Sequence, residues 1–288
     1  MATLRQLLAG PDILVGPGVY DALTAATAER AGFRSVYLSG AAVAYTRLGL
    51  PDIGLSTMTE MAQTLGLIRD RIGIPIVIDA DTGFGGVLNA TRTMRVYERA
   101  GANALQVEDQ TFPKRCGHLK DKALVPAHEM CGKLRAMADA RESDETLIIA
   151  RTDAIAVEGF EAALDRAEAY VEAGADMLFI EAPRSRDELE GIARQFGGRV
   201  PLMANMVEGG ETPIQNKDDL QALGFSFVIF PGGIVRALLR HMEDYYASLL
   251  ATGSNAAFAN RMYDFKSLNE RLRTEEILDK GRRYEDKS

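Results

Sequence analysis

Short runs of apolar and β-branched residues alternate with stretches of helical periodicity along almost the whole chain. The runs are Ile13–Gly16, Ser35–Ser39, Pro75–Asp79, Ala104–Glu108, Leu147–Ala150, Met177–Ile180, Pro201–Ala204 and Phe225–Phe230. Each is close to continuously apolar, as expected of strands buried on both faces of a parallel sheet. Helix-period segments fall between them, at Asp21–Ala31, Thr59–Arg71, Asn89–Ala100, Ala127–Arg141, Phe160–Ala173, Ser185–Phe196, Lys217–Leu223 and Ile234–Leu250. Gly32, Gly101, Gly174 and Gly224 each follow such a segment, where a left-handed C-terminal cap turns the chain back into a strand.

Eight βα units in roughly 250 residues predict an α/β fold, a (β/α)8 TIM-type barrel. An open doubly wound sheet would carry Gly-x-Gly-x-x-Gly after its first strand. The first strand here runs instead into Gly16-Pro17-Gly18-Val19-Tyr20-Asp21. No stretch has linker composition, so residues 1–288 are expected to form a single domain. Residues 255–288 lie beyond the eighth unit and read as a charge-rich helical extension.

Composition narrows the function classes. Hydrophobic residues make up 47% of the 288 and charged residues 26%, enough for a large core and against disorder. Apolar runs are strand-sized, well short of the about 18 residues a membrane span needs. The balance of 33 basic and 41 acidic residues gives a net charge of −8, which argues against nucleic acid and acidic membranes as partners. Cys116 and Cys131 with three histidines argue against a structural zinc site, and two reduced thiols are expected. The stretch Met1–Gly10 reads as a short amphipathic helix rather than a signal peptide, so a cytoplasmic protein is expected.

In such a barrel the chemistry sits at the C-terminal ends of the strands. Those positions hold Ser39-Gly40, Asp79-Ala80-Asp81, Glu108-Asp109, Arg151-Thr152-Asp153, Glu181 and Asn205. A rim that was merely solvated would favour lysine and scattered glutamate. Asp79, Asp81 and Glu108 come from neighbouring strands and repel one another unless a cation sits among them. All-oxygen ligands select a hard ion, Mg2+ or Mn2+, held partly through water. The competing reading is a cluster satisfied by backbone amides and Arg151. In the following loop, Lys114, Arg115 and His118 flank Cys116, and cationic neighbours favour a reactive thiol. The loop contains Gly117 and follows the carboxylates, so it is placed to close over a substrate. Cys116 as a bystander in a basic loop is the alternative. Cys131, His128 and His241 lie on helix patterns and are read as packing or surface residues.

At these residues the sequence resembles the isocitrate lyase / phosphoenolpyruvate mutase superfamily. The match runs through Tyr37-Leu-Ser-Gly40, Gly49-Leu-Pro-Asp52, Asp79-Ala-Asp-Thr-Gly-Phe-Gly85 and Val107-Glu-Asp-Gln110. It continues through Lys114-Arg-Cys-Gly-His118, Ala150-Arg-Thr-Asp153, Phe179-Ile-Glu-Ala182 and Asn205-Met-Val-Glu-Gly-Gly210. The Lys-Arg-Cys-Gly-His loop resembles that of the carbon–carbon lyases of 2-methylisocitrate and 2,3-dimethylmalate type, though carboxyphosphonoenolpyruvate mutase shares it.

The resemblance implies a role for each matching residue. Asp79, Asp81 and Glu108 would hold Mg2+, and Asp52 a metal-bound water. Ser39, Gly40 and Ala41 would bind an α-keto acid carboxylate opposite Arg151. Tyr37 would contact substrate and is a candidate base for its hydroxyl. Gly117, Glu181 and Asn205 would line the rest of the pocket. Cys116 would act as general acid, with Lys114 and His118 beside it. The implied reaction is retro-aldol cleavage of a 2-hydroxy di- or tricarboxylate to a keto acid. Phosphonate mutase and oxaloacetate-type hydrolase chemistry are two rivals, and a non-catalytic barrel protein is the third. The implied assembly is a homotetramer with exchanged C-terminal helices. Two departures bear on the substrate. Pro231-Gly232-Gly233 stands where relatives often have Pro-Leu-Ser, and Glu211 stands where several have lysine.

Overall fold

The computed structural model describes residues 2–117, 121–210, 212 and 216–285. Eight strands form a closed barrel in chain order: β1 (Leu14–Val19), β2 (Val36–Leu38), β3 (Ile76–Asp79), β4 (Ala104–Glu108), β5 (Leu147–Thr152), β6 (Met177–Ile180), β7 (Leu202–Asn205) and β8 (Phe227–Phe230). Every neighbouring pair is parallel, and β1 closes onto β8 with Leu14 opposite Phe227. This is the (β/α)8 architecture expected from the pattern.

Local chemistry explains the turns. Asp21, Thr57 and Ser185 cap the helices that follow them, each side chain accepting an amide hydrogen from the first turn. The glycines predicted to end helices do adopt left-handed backbone: φ is 96° at Gly32, 98° at Gly101, 102° at Gly174 and 100° at Gly224.

One boundary differs from the sequence reading. β1 does not stop at Gly16 but continues through Gly-Pro-Gly to Val19. These glycines serve close approach rather than a turn. A Cβ on Gly16 would stand 2.6 Å from the Phe227 ring, and one on Gly18 would stand 2.1 Å from the Pro231 carbonyl oxygen.

Two apolar clusters divide the barrel. The larger lies between strands and surrounding helices and includes Leu65, Met94, Leu134, Tyr170 and Phe196. The smaller fills the barrel interior from the N-terminal ends of the strands up to the floor of the polar site. There Leu4, Leu7 and Leu8 of the first helix (Leu4–Leu8) join Leu14, Tyr37, Phe179 and Phe227.

The chain divides into two compact units, residues 1–235 and 236–288. The boundary precedes the extension start read from sequence at 255. Within the second unit, helices Phe265–Leu272 and Thr274–Arg282 follow a 3-10 turn at Ala256–Arg261. Phe258 is buried edge-on to His241 and Tyr245, with the Arg261 guanidinium 4.2 Å from its ring centre. Among the described residues no helix is long and apolar enough to cross a membrane.

Candidate active site

The C-terminal ends of β3, β4 and β5 carry the densest buried charge in the barrel. Asp52, Asp79, Asp81, Glu108, Asp153 and Glu181 are all under a tenth exposed. Three cations stand among them: Lys114, Arg151 and Lys122, whose side chain is 2% exposed. Asp79 Oδ1 accepts from the Asp81 amide at 3.1 Å, and its Oδ2 accepts from the Gly40 amide at 3.3 Å. Gly40 permits this approach, because a Cβ there would lie 2.9 Å from Asp79 Oδ2. Its amide therefore serves Asp79 here rather than pointing to a substrate. Ser39 accepts from the Ala42 amide as cap of the short helix Gly40–Val43, which also carries Ala41. Asp81 sits at φ 45°, a left-handed conformation that non-glycine residues seldom adopt outside constrained sites.

Lys114 reaches in from the loop after β4. Its Nζ lies 2.5 Å from Asp52 Oδ1 and 2.8 Å from Asp81 Oδ1. Burial opposes the ammonium charge, but Asp81, Asp79 and Asp52 outweigh it and raise the lysine well above its ordinary value. Burial also pushes Asp81 up to about 6 and Glu108 well above the carboxylate range, despite their cationic neighbours. Glu108 Oε1 is buried without a hydrogen-bond partner, and Asp81 Oδ1 has only the ion pair to Lys114.

These observations test the fit to a hard cation. Six buried carboxyl groups stand against three cations, and two carboxyl oxygens, Asp81 Oδ1 and Glu108 Oε1, lack a hydrogen-bond partner, as does the Gln106 Nε2 amide. Among the described residues, however, no three Asp, Glu, His or Cys side chains converge closely enough to ligate one ion directly. The donor set therefore suits an ion that keeps much of its water, as Mg2+ does.

Arg151 forms the opposite wall. Asp153 binds it through two hydrogen bonds, Nε to Oδ2 at 2.9 Å and Nη2 to Oδ1 at 3.0 Å. Glu108 lies 3.3 Å from Nε, Glu181 4.0 Å from Nη1, and the Phe179 ring 5.2 Å beneath. Burial works against the Asp153 charge, yet Arg151 and Lys122 hold its carboxyl down at about 2. Asn205 Nδ2 donates to both Glu181 oxygens at 3.3 Å, leaving its own Oδ1 buried and unpaired.

The thiol loop packs onto this wall. Gly117 is buried, and a Cβ there would meet Arg151 Nη2 at 2.6 Å and Glu181 Cγ at 2.9 Å. The Cys116 amide donates to the Asp52 carbonyl at 3.2 Å. Gln110 fixes the loop from below, accepting from the Arg115 amide at 2.9 Å and donating to the Arg115 carbonyl at 2.8 Å. Cys116 is partly exposed and Cys131 buried in the helix layer. His118 and Glu211 lie outside the described residues.

Two sequence expectations shift. Tyr37 is 3% exposed and donates to Gln106 Oε1 at 2.5 Å; burial first, then Asp79, raises its phenol well above the ordinary value. It is a proton donor, not a ready base. Asp109 belongs to the strand-tip set but faces the helix layer. It accepts from the Thr152 hydroxyl at 2.7 Å, the Asp153 amide at 3.0 Å and the Tyr170 hydroxyl at 2.8 Å, with Arg166 at 3.4 Å. Alternation along the strand puts Glu108 inward and its neighbour outward. Sequence reasoning missed Lys122 and the pinning role of Gln110. Only their nearness to Cys116 in the chain could have drawn notice to them.

A closed parallel barrel with a buried carboxylate cluster, an arginine wall and a thiol loop at its C-terminal mouth defines a class: barrel enzymes that act on small anionic substrates. The family model described as phosphoenolpyruvate phosphomutase matches residues 4–250. The chain belongs to the phosphoenolpyruvate mutase / isocitrate lyase superfamily.

Relatives named as lyases share much of its sequence. A 2,3-dimethylmalate lyase of Eubacterium barkeri is 40% identical, over 98% of this chain and 97% of its own. A 2-methylisocitrate lyase of Aeropyrum pernix is 45% identical, over 90% and 83%. The crystal structure of a 2,3-dimethylmalate lyase superposes with a TM-score of 0.91 at 33% identity, covering 97% of this chain and 94% of that one. A phosphonopyruvate hydrolase solved with oxalate and Mg2+ gives 0.87 at 30% identity, covering 98% and 97%.

Proposed function

We propose that this protein is a Mg2+-dependent carbon–carbon lyase that cleaves a 2-hydroxy di- or tricarboxylate of the 2-methylisocitrate or 2,3-dimethylmalate type. The products are an α-keto acid such as pyruvate and a second carboxylate. The observation that carries this reading is the Cys116 loop seated on Arg151 and Glu181, in a chain 40–45% identical to named lyases.

Asp79, Asp81 and Glu108 would hold the metal largely through water, with Asp52 on one of those waters. Bound Mg2+ supplies Lewis acidity to the substrate hydroxyl and carboxylate oxygens. Ser39, Gly40 and Ala41 would line the end of the pocket that takes the substrate carboxylate, Gly40 through its backbone beside the amide that Asp79 holds, and Arg151 would face the negative charge that develops on cleavage. Tyr37 and Lys114 keep their protons and act as donors toward substrate oxygens. Glu181 and Asn205 bound the side away from the metal. Cys116 delivers the proton to the carbon of the departing enolate, with His118 read as its neighbour. Leu250 and Phe265, 90% and 85% exposed, leave apolar surface that the homotetramer with exchanged C-terminal helices implied by the family resemblance would cover. We also propose a single-domain protomer with a helical extension, working in the cytoplasm.

The test is a panel of 2-hydroxy di- and tricarboxylates assayed for keto-acid release, with oxaloacetate and a phosphonate included. Cleavage of a hydroxy acid in preference to both others supports the lyase. Turnover of the phosphonate or of oxaloacetate alone replaces it with the mutase or the hydrolase.

A further inference from the structure

Lys122 lies on the far side of the Cys116 loop, outside every role assigned above. Its side chain is 2% exposed. The ammonium donates to the Gly117 carbonyl and, at 2.8 Å, to Asp153 Oδ1. The same Asp153 oxygen accepts from Arg151 Nη2 at 3.0 Å. Asp153 is itself fixed, since its amide donates to Asp109 Oδ1 at 3.0 Å. A continuous set of charged hydrogen bonds therefore runs from the loop backbone to the arginine that faces the pocket.

We propose that Lys122 is a positioning residue, a latch that ties the Cys116 loop to Arg151 through Asp153. Two consequences follow from the geometry. The latch holds the Gly117 peptide down on the barrel wall, which sets where Cys116 stands. It also shares Asp153 with Arg151. That guanidinium has carboxylates on three sides, namely Asp153, Glu108 at 3.3 Å and Glu181 at 4.0 Å. A second cation on Asp153 leaves more of the arginine's charge available to an incoming anion. The seating of the Gly117 peptide and anion binding at Arg151 are then linked, and each favours the other by the same factor.

The first measurement needs no substrate. Trypsin cleavage at the Arg115–Cys116 bond is followed by mass spectrometry on the full chain without ligand. A charged hydrogen bond of this kind contributes about a tenfold to hundredfold bias toward the closed loop. Lys122→Met is expected to be cut at that bond faster by about that factor, and Lys122→Arg at close to the parent rate. The melting temperature is followed alongside, and Lys122→Gln replaces Lys122→Met should the latter not fold. Equal cleavage rates in the parent and the neutral variants would overturn the latch.

The second measurement rests on the lyase reading. Lys122→Met should raise KM for the best hydroxy acid about tenfold, with recovery in Lys122→Arg. A merely structural lysine would lower the melting temperature and leave KM unmoved, which counts against the proposal. A parent that cleaves no hydroxy acid would sink the lyase reading, while the proteolysis result would still decide the latch.

Discussion

Replacing Gly117 with alanine adds one carbon at the tightest point of the site. Backbone strain is not the issue, since φ at Gly117 lies outside the left-handed region. The new Cβ would stand 2.6 Å from Arg151 Nη2 and 2.9 Å from Glu181 Cγ, where ordinary contact begins near 3.4 Å. Arginine tips usually swing aside, but this one is held twice by Asp153 and lies over Phe179. Glu181 is tied to Asn205. The loop must therefore lift, by close to an ångström. A displacement of about 1 Å in a catalytic group costs on the order of 10²-fold in rate. Gly117→Ala should lower kcat on the best hydroxy acid by about that factor. The barrel should melt within a degree or two of the parent, because no core residue is touched. Steady-state kinetics with saturating Mg2+ and a thermal melt suffice to check this. A variant retaining a third or more of parental kcat would refute the closed-loop geometry as the working one.

Cys116→Ala should lose about 10²- to 10⁴-fold in turnover, as expected for removal of a general acid, with Mg2+-dependent pyruvate binding intact by calorimetry; Cys131→Ala should turn over near normally. Thorough chelation should abolish activity, with Mg2+ or Mn2+ restoring more of it than Zn2+; full activity in metal-free enzyme would end the metal reading. Asp109→Ala takes the acceptor from the Thr152 and Tyr170 hydroxyl hydrogens and from the Asp153 amide, and removes a carboxylate from Arg166. Denaturant unfolding should show a loss of roughly 3–5 kcal/mol. A loss below about 1 kcal/mol would remove Asp109 from the support of β5.

The barrel was legible because buried parallel strands leave unbroken apolar runs and because four glycines mark where helices must turn. Gly16-Pro17-Gly18 misled, since glycine required for close packing looks the same in sequence as glycine required for a turn. The carboxylates were legible from their place at strand ends. Their division into inward Glu108 and outward Asp109 follows from strand alternation, but only once the strand's phase is known. Lys122 was opaque for a physical reason. A lysine in a polar loop is ordinarily solvated, and only the folded backbone reveals a carbonyl and a carboxylate that repay its burial. The proton held on Tyr37 was equally hidden, because it depends on a cavity wall assembled from distant strands.

The plug of apolar side chains at the N-terminal ends of the strands, sealed by Leu4, Leu7 and Leu8, makes the barrel a vessel with one mouth. Whatever reacts within it arrives and departs past the same loop. Two products then share a single doorway, and the one lying nearer the floor is trapped until the one above has gone. Such a shape imposes a queue on release, visible as competitive inhibition by one product and noncompetitive inhibition by the other.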